Sequence, residues 1–121
     1  DTIVSIENRI LGKPENLDDA RKMLQYLCGK SHQVLTAYCV SKFDDHEELL
    51  SGYVSTDVKF INYDRIHLDA YLSTGESLDK AGSYGIQGFG GLLVDSIDGC
   101  YFNVVGLPLT AVFNGLKGLN K

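Results

Sequence analysis

Five of the ten residues from 82 to 91 are glycines, and this cluster constrains the fold more than any other segment of the chain. Glu76, Asp79 and Lys80 lie shortly before the cluster, and Gln87 lies within it. Glycine adds nothing to a hydrophobic core and loses much backbone entropy on folding. Such a density therefore indicates turns with positive φ or a close approach of the backbone to a ligand. The alternative is a tight loop that joins a helix to a hairpin and carries solvated charges.

The charge balance limits the classes of partner. The chain of 121 residues has a net charge of −5 and no basic stripe. A nucleic-acid polymer is therefore not expected as a partner, because its phosphates are gripped by lysine and arginine. A single nucleotide remains compatible, since a few local cations and a divalent metal can offset its phosphates. No stretch is long and apolar enough for a membrane span, so no membrane partner is expected.

The composition predicts one domain in a reducing compartment. A hydrophobic fraction of 44% and a charged fraction of 22% are ordinary for a globular protein, and residues 1–121 suffice for a single domain with a core. Cys28, Cys39 and Cys100 are too widely spaced for a disulfide framework or a Cys-x-x-Cys site. They predict free, buried thiols and a cytoplasmic location.

Hydrophobic periodicity predicts the elements of the first half. The β-branched run Thr2–Ile6 indicates a strand. Asn16 is a suitable N-cap for a helix whose apolar positions recur to Leu27, and Gly29 follows as a helix-ending glycine. Residues 33–43 and 53–61 read as two further strands. The acidic link between them, residues 44–48, predicts an exposed hairpin tip, with a metal site beside its histidine as the less favoured alternative.

The second half predicts two helices around a hairpin. Asn62 is the expected cap of a helix that runs to Tyr71. Asp98-Gly99, flanked by residues 92–97 and 100–105, is a typical hairpin turn. Pro108 begins a last helix. The predicted order is β-α-β-β-α-loop-β-β-α, an α/β domain with a mixed, mostly antiparallel sheet and flanking helices.

Several motifs, in order along the chain, resemble those of the Maf family of nucleoside triphosphate pyrophosphatases. The resemblance extends from the first residue to about residue 116. The matching segments are Asp1-Thr2-Ile3-Val4, Ile10-Leu11-Gly12-Lys13-Pro14, Thr74-Gly75-Glu76, Asp79-Lys80-Ala81-Gly82, Tyr84-Gly85-Ile86-Gln87-Gly88 and Asn103-Val104-Val105-Gly106-Leu107-Pro108-Leu109.

This resemblance implies a catalytic site. Asp1 corresponds to the general base and metal ligand, with magnesium or manganese as the cofactor. Lys13 and Lys80 are suited to phosphate oxygens, and Asp79 to orienting Lys80 or the metal shell. Glu76 is either a second carboxylate of that shell or a surface residue at the end of a helix. The implied reaction converts a nucleoside triphosphate to its monophosphate and diphosphate.

The base preference is also implied by the resemblance. One glutamine amide offers both a donor and an acceptor, which complements the imide edge of uracil or thymine. Thr2 and Gln87 match the branch of the family that acts on dTTP and UTP, which removes unwanted nucleotides from the pool. The branch that acts on 7-methyl-GTP is the alternative enzyme. An inactive remnant that binds nucleotide or supports oligomerisation is the non-enzymatic alternative.

Family members carry a further N-terminal portion with a Ser-Pro-Arg-Arg loop, which is not found in these 121 residues. The chain therefore resembles the C-terminal part of such a protein, beginning at the catalytic aspartate. By itself it is expected to be inactive or nearly so. The resemblance further implies a homodimer.

Overall fold

A computed structural model describes residues 1–42, 44 and 47–119. Its centre is a five-stranded sheet with the order β2-β1-β3-β4-β5, in which every pair of neighbours is antiparallel. The strands are β1 (Thr2–Ile6), β2 (Arg9–Leu11), β3 (Ser31–Ser41), β4 (Glu48–Phe60) and β5 (Val94–Asp98).

Helices and short 3-10 segments cover one face of this sheet. The α-helices are α1 (Leu17–Leu27), α2 (Arg65–Leu72), α3 (Tyr101–Val105) and α4 (Leu109–Leu119). Three 3-10 segments lie between α2 and β5, at Glu76–Asp79, Ala81–Ser83 and Phe89–Leu93. The predicted α/β class with flanking helices is confirmed. None of the described helices has the length and apolarity needed to cross a membrane.

Helix α1 forms as its sequence predicts. The Asn16 side chain accepts a hydrogen bond from the backbone N–H of Asp19, and the buried positions are Ala20, Leu24 and Leu27. These residues pack with Val4, Ile6, Val34, Val58 and Phe60 of the sheet in one core. That core holds β1, and with it the start of the chain, against the helical layer.

Strand β2 was not predicted, and it extends the sheet beyond β1. The turn that joins the two strands places both Glu7 and Asn8 at positive φ, 48° and 64°. Two successive residues in this region give a tight turn whose twist suits a hairpin. The hairpin delivers Gly12 and Lys13 to the same end of the sheet as Asp1.

The predicted hairpin around Asp98-Gly99 is wrong. Strand β5 pairs with β4, whereas the expected second strand, residues 100–105, contains helix α3. Asn103 explains the difference: it is fully buried, and its side-chain amide donates to the Val34 carbonyl and the Thr56 hydroxyl. A tertiary anchor of this kind overrides the β-propensity of the valines beside it.

Smaller differences concern caps, strand ends and thiols. Asp64, not Asn62, caps α2, accepting a hydrogen bond from the His67 N–H. Strands β3 and β4 both begin earlier than expected, so that Glu48 of the predicted acidic tip belongs to β4, and residues 45 and 46 of that tip lie outside the described residues. The three cysteines are free as predicted, but Cys39 is exposed and the other two are half-buried.

Candidate active site

A cavity of about 270 Å³ gathers most of the polar residues that the sequence singles out. We call it the charged cavity. It is lined by Asp1, Thr2, Val4, Lys13, Val34, Asp79, Lys80, Ala81, Tyr84, Val104 and Val105. Five of the six predicted site residues therefore surround one space, although they come from three separate segments of the chain.

Asp1 is fixed at the end of β1 by its backbone. Its nitrogen donates to the Ala37 carbonyl and its carbonyl accepts from the Ala37 N–H, both at 2.9 Å. The Asp1 Oδ1 atom accepts the Thr2 N–H at 3.1 Å. One carboxylate oxygen is thus held, and Oδ2 has no hydrogen bond among the described contacts.

Two loops bring the lysines together. The Gly82 N–H donates to the Gly12 carbonyl at 3.1 Å, which joins the loop of Lys80 to the loop of Lys13. Gly82 has a φ of 72°, and a Cβ atom there would lie 2.8 Å from a methyl group of Val4. Only glycine tolerates both the positive φ and the close contact without strain. Gly82 is therefore required for the hydrogen bond that joins the loops of the two lysines.

Thr2 belongs to a directed chain of hydrogen bonds. The Thr36 hydroxyl donates to the Asn103 carbonyl at 3.0 Å and lies 2.9 Å from the Thr2 hydroxyl. A hydroxyl has one proton, so Thr2 must be the donor to Thr36. The Thr2 oxygen is left with acceptor capacity, and it can accept a hydrogen bond from a ligand N–H or O–H in the charged cavity.

Gln87 does not line the charged cavity. It lies in a second space of about 290 Å³, which we call the loop cavity, lined by Glu76, Lys80, Tyr84, Gly85, Ile86, Gln87, Gly88, Val104 and Val105. Four residues line both spaces, namely Lys80, Tyr84, Val104 and Val105. The two cavities therefore adjoin, and a ligand with an anionic end and a flat polar end can span them.

Tyr84 forms part of the shared wall and is anchored from behind. Its hydroxyl lies 2.6 Å from Nε2 of His32, and its ring packs edge-on against those of His32 and Phe60. Burial lowers the pKa of His32 to about 4 and raises the pKa of Tyr84. Both groups are therefore neutral near pH 7, so Tyr84 contributes shape rather than charge to the shared wall.

Glu76 lines the loop cavity, but its carboxylate is largely engaged by the protein. It accepts the N–H groups of Phe89 and Gly90 and the hydroxyl of Tyr71. The surface-residue alternative for Glu76 is thus wrong. The glycine density did signal close backbone approach, but the approach is to the protein itself: to the Glu76 carboxylate at Gly88, and to the Gly85 backbone and the Tyr71 hydroxyl at Gly90.

The donor set suits a metal that is shared with a substrate. Asp1 and Asp79 present carboxylates to the charged cavity, and the described residues contain no cluster of three or more His, Cys, Asp or Glu suited to a metal. Mg²⁺ is commonly held by one or two carboxylates together with substrate phosphates and water. The residues present fit that arrangement.

Sequence reasoning missed the parts of the site that depend on tertiary packing. Tyr84, Val104 and Val105 line both cavities, yet an aromatic residue and two valines in an expected strand give no signal of a ligand site. Asn103 could have been noticed as a polar residue beside two valines in a stretch read as strand.

Comparisons with known proteins give the family of the chain. Residues 1–119 match the family described as Maf-like protein. Similar proteins named dTTP/UTP pyrophosphatase occur in Syntrophomonas wolfei, 49% identical over 99% of this chain, and in Ruminiclostridium cellulolyticum, 47% identical over 100%. Another from Pseudoalteromonas atlantica is 52% identical over 90% of the chain and 55% of its own length.

The chain spans 64% and 62% of the first two relatives, so its similarity concerns that part of them. The family match over residues 1–119 includes the lining of both cavities and α4. The chain belongs to the Maf family.

Proposed function

We propose that the protein carrying this chain is a pyrophosphatase that hydrolyses dTTP and UTP to the monophosphate and diphosphate, and that it clears unwanted nucleotides from the cellular pool. The observation that carries the proposal is the junction of the two cavities at Lys80 and Tyr84. Two carboxylates and Lys13 stand on one side of this junction, and the amide of Gln87 stands on the other. The names of the relatives support the same activity.

Asp1 acts as the general base in this proposal. Oδ1 is occupied by the Thr2 N–H, so Oδ2 takes the proton from the attacking water. The water oxygen forms a bond to the α-phosphorus, and the bond from that phosphorus to the α-β bridging oxygen breaks. Its electron pair leaves with the diphosphate.

Lys13 and Lys80 contact the phosphates, and Asp79 orients Lys80. The Lys80 Nζ atom lies 3.8 Å from Asp79 Oδ1, and both side chains are substantially exposed. Exposed ion pairs are weak, so Lys80 can leave Asp79 for a phosphate at little cost. Asp1 and Asp79 would hold Mg²⁺ or Mn²⁺ at this end. When bound, such an ion offsets phosphate charge and lowers the pKa of the attacking water.

Gln87 and Thr2 set the base preference. The Gln87 amide can donate to a carbonyl of the pyrimidine and accept from its N3–H. Because the Thr2 hydroxyl oxygen can still accept a hydrogen bond, it favours a ligand group that donates one, such as a sugar hydroxyl or an imide N–H. Hydrolysis of 7-methyl-GTP is the second candidate, and a nucleotide-binding protein without activity is the third.

We also propose a cytoplasmic homodimer formed through α4. That helix has no buried residue, and its exposed apolar side chains are Leu109, Phe113, Leu116 and Leu119. A second copy that covers them removes this surface from water. Light scattering should give a dimer that Phe113→Glu splits and Asn114→Glu leaves intact. A monomeric wild-type protein would contradict the proposal.

The activity is tested by measuring diphosphate release from dTTP, UTP and 7-methyl-GTP with Mg²⁺ or Mn²⁺, using the natural protein that carries this sequence. We expect dTTP and UTP to be cleaved with the larger kcat/KM and the release to stop with EDTA. Preference for 7-methyl-GTP would assign the protein to the other branch of the family. Nucleotide binding without release would support the inactive alternative.

A further inference from the structure

The carboxylate of Glu76 lies at the centre of the turn that carries Gln87. Its Oε2 atom accepts the Phe89 N–H at 2.9 Å, and its Oε1 atom accepts the Gly90 N–H at 3.0 Å. Two successive backbone N–H groups directed at one anion form a concave anion site, a geometry that proteins often use for ligands. Here the anion is a side chain of the same chain.

Tyr71 extends this contact to the other side of the turn. Its hydroxyl donates to Glu76 Oε1 at 3.2 Å and accepts the Gly85 N–H at 3.2 Å. Burial raises the pKa of Tyr71, and the neighbouring Glu76 carboxylate raises it further. The hydroxyl therefore keeps its proton and remains a donor to Glu76. Residues on both sides of Gln87 are thereby tied to one carboxylate.

The glycines show how closely the backbone wraps this group. A Cβ atom at Gly88 would lie 2.3 Å from Glu76 Oε2, and one at Gly90 would lie 2.5 Å from the Gly85 carbonyl. Both distances are too short for a contact of a Cβ atom, so a residue with a side chain does not fit at either position in this conformation. Gly88 is thus required by the contact of the loop with Glu76, and Gly90 by its contact with the Gly85 backbone. Together they leave the path of the backbone between residues 85 and 90 little freedom.

We propose that Glu76 is a positioning residue that sets base selectivity by holding Gln87 in place through the loop backbone. This inference rests on the proposed function, because it assigns Gln87 to the base. Three hydrogen bonds occupy most of the roughly four lone-pair sites of the carboxylate. Glu76 therefore does not serve the metal, and the second metal carboxylate is Asp79.

The test compares Glu76→Gln and Tyr71→Phe with wild type, and uses Glu48→Gln as the matched control, since Glu48 is exposed on β4 and lines neither cavity. The glutamine amide sets an N–H₂ group against one of the loop N–H donors. We expect Glu76→Gln to lower the dTTP-to-dGTP ratio of kcat/KM by about tenfold, mainly through KM. Tyr71→Phe leaves the Phe89 and Gly90 contacts and should have the smaller effect.

Two further readouts separate this role from metal binding and from general loss of structure. The Mg²⁺ concentration for half-maximal rate should be unchanged in Glu76→Gln. Hydrogen exchange at the Phe89 and Gly90 amides should accelerate by about tenfold or more, while exchange in α1 stays as in wild type. An increased Mg²⁺ requirement with unchanged selectivity would overturn the proposal, as would unchanged exchange at the two amides.

The exchange measurement needs no substrate. If the wild-type protein cleaves no dTTP, the proposed function fails, and the exchange result still decides whether Glu76 holds the loop. If Glu76→Gln does not fold, Tyr71→Phe keeps the test open: it must speed exchange at Gly85 and lower the selectivity ratio, and the absence of either effect would refute the assignment.

Discussion

The charged cavity and the loop cavity adjoin, but they hold their polar groups in opposite ways. In the charged cavity, the side chains of Asp79 and Lys80 are 77% and 46% exposed and form a long ion pair with each other. In the loop cavity, the backbone around Gln87 donates three hydrogen bonds to Glu76 and Tyr71, and a fourth joins these two side chains to each other. The Asp79–Lys80 side of the charged cavity is thus loosely held, whereas the backbone of the loop cavity is held by hydrogen bonds before any ligand binds.

This difference matches two kinds of recognition. Attraction between lysines and phosphates falls slowly with distance, so mobile side chains can still find their partners. A base edge is recognised by short, directional hydrogen bonds, and a misplaced amide cannot form them. Hydrogen bonds therefore constrain the backbone in the loop cavity, where recognition of the base depends on precise geometry. Variants of Asp1 and of the lysines should alter rate, and variants around the loop should alter selectivity.

The largest effect is expected from Asp1→Asn. The amide keeps the size of the carboxylate and can still accept the Thr2 N–H, but it cannot take a proton from water. We expect kcat for dTTP to fall by about 10²–10⁴, with the dTTP-to-dGTP ratio unchanged. Steady-state kinetics beside Asp18→Asn, a surface control on α1, provide the measurement. Near wild-type turnover would remove Asp1 from the mechanism.

The second prediction concerns the wall that both cavities share. The pKa of His32 is about 4 in the folded protein and 6.5 ordinarily, so between these values the unfolded chain binds the proton and the folded one does not. Stability should therefore decrease as the pH falls from 6.5 to 4, by about 3 kcal/mol from this residue. Urea unfolding across that range should show a shallower pH dependence in His32→Phe. Identical slopes in the two proteins would show that His32 is not buried in its neutral form.

Gln87→Ala should separate the two cavities by their function. Removing the amide should lower kcat/KM for dTTP by about tenfold or more and lower that for dGTP much less, because a directional contact contributes to discrimination. The comparison needs both nucleotides at the same Mg²⁺ concentration. Equal losses for the two would make Gln87 a structural residue of the loop.

A smaller effect is expected from Thr36→Val, which sharpens the role of Thr2. The valine leaves the Thr2 hydroxyl without its acceptor, so Thr2 becomes free to donate to a ligand. We expect the preference for dTTP over dCTP to fall about threefold. Thr56→Val is the matched control, because Thr56 also bonds to Asn103 but does not contact Thr2 among the described hydrogen bonds. Equal changes in the two variants would assign the effect to α3 rather than to Thr2.

Much of this molecule follows from local sequence signals, and the exceptions have a common cause. The cap of α1, strand β1 and the convergence of Asp1, Lys13 and Lys80 were predicted because each depends on a local pattern or on family motifs. Helix α3 was not, because the burial of Asn103 against β3 and β4 is a tertiary contact that no local propensity contains. For the same reason, the glycines indicated a close approach without revealing that the partner is Glu76.

The most direct test of the account is a crystal structure of the natural protein that carries this sequence, bound to Mg²⁺ and the α,β-imido analogue of dTTP. We predict triphosphate oxygens within hydrogen-bond distance of Lys13 and Lys80, the α-phosphate facing Asp1 Oδ2, and the thymine imide edge on the Gln87 amide. The nucleotide would then span both cavities across Lys80 and Tyr84. A base that lies outside the loop cavity, with Gln87 out of contact, would contradict the account.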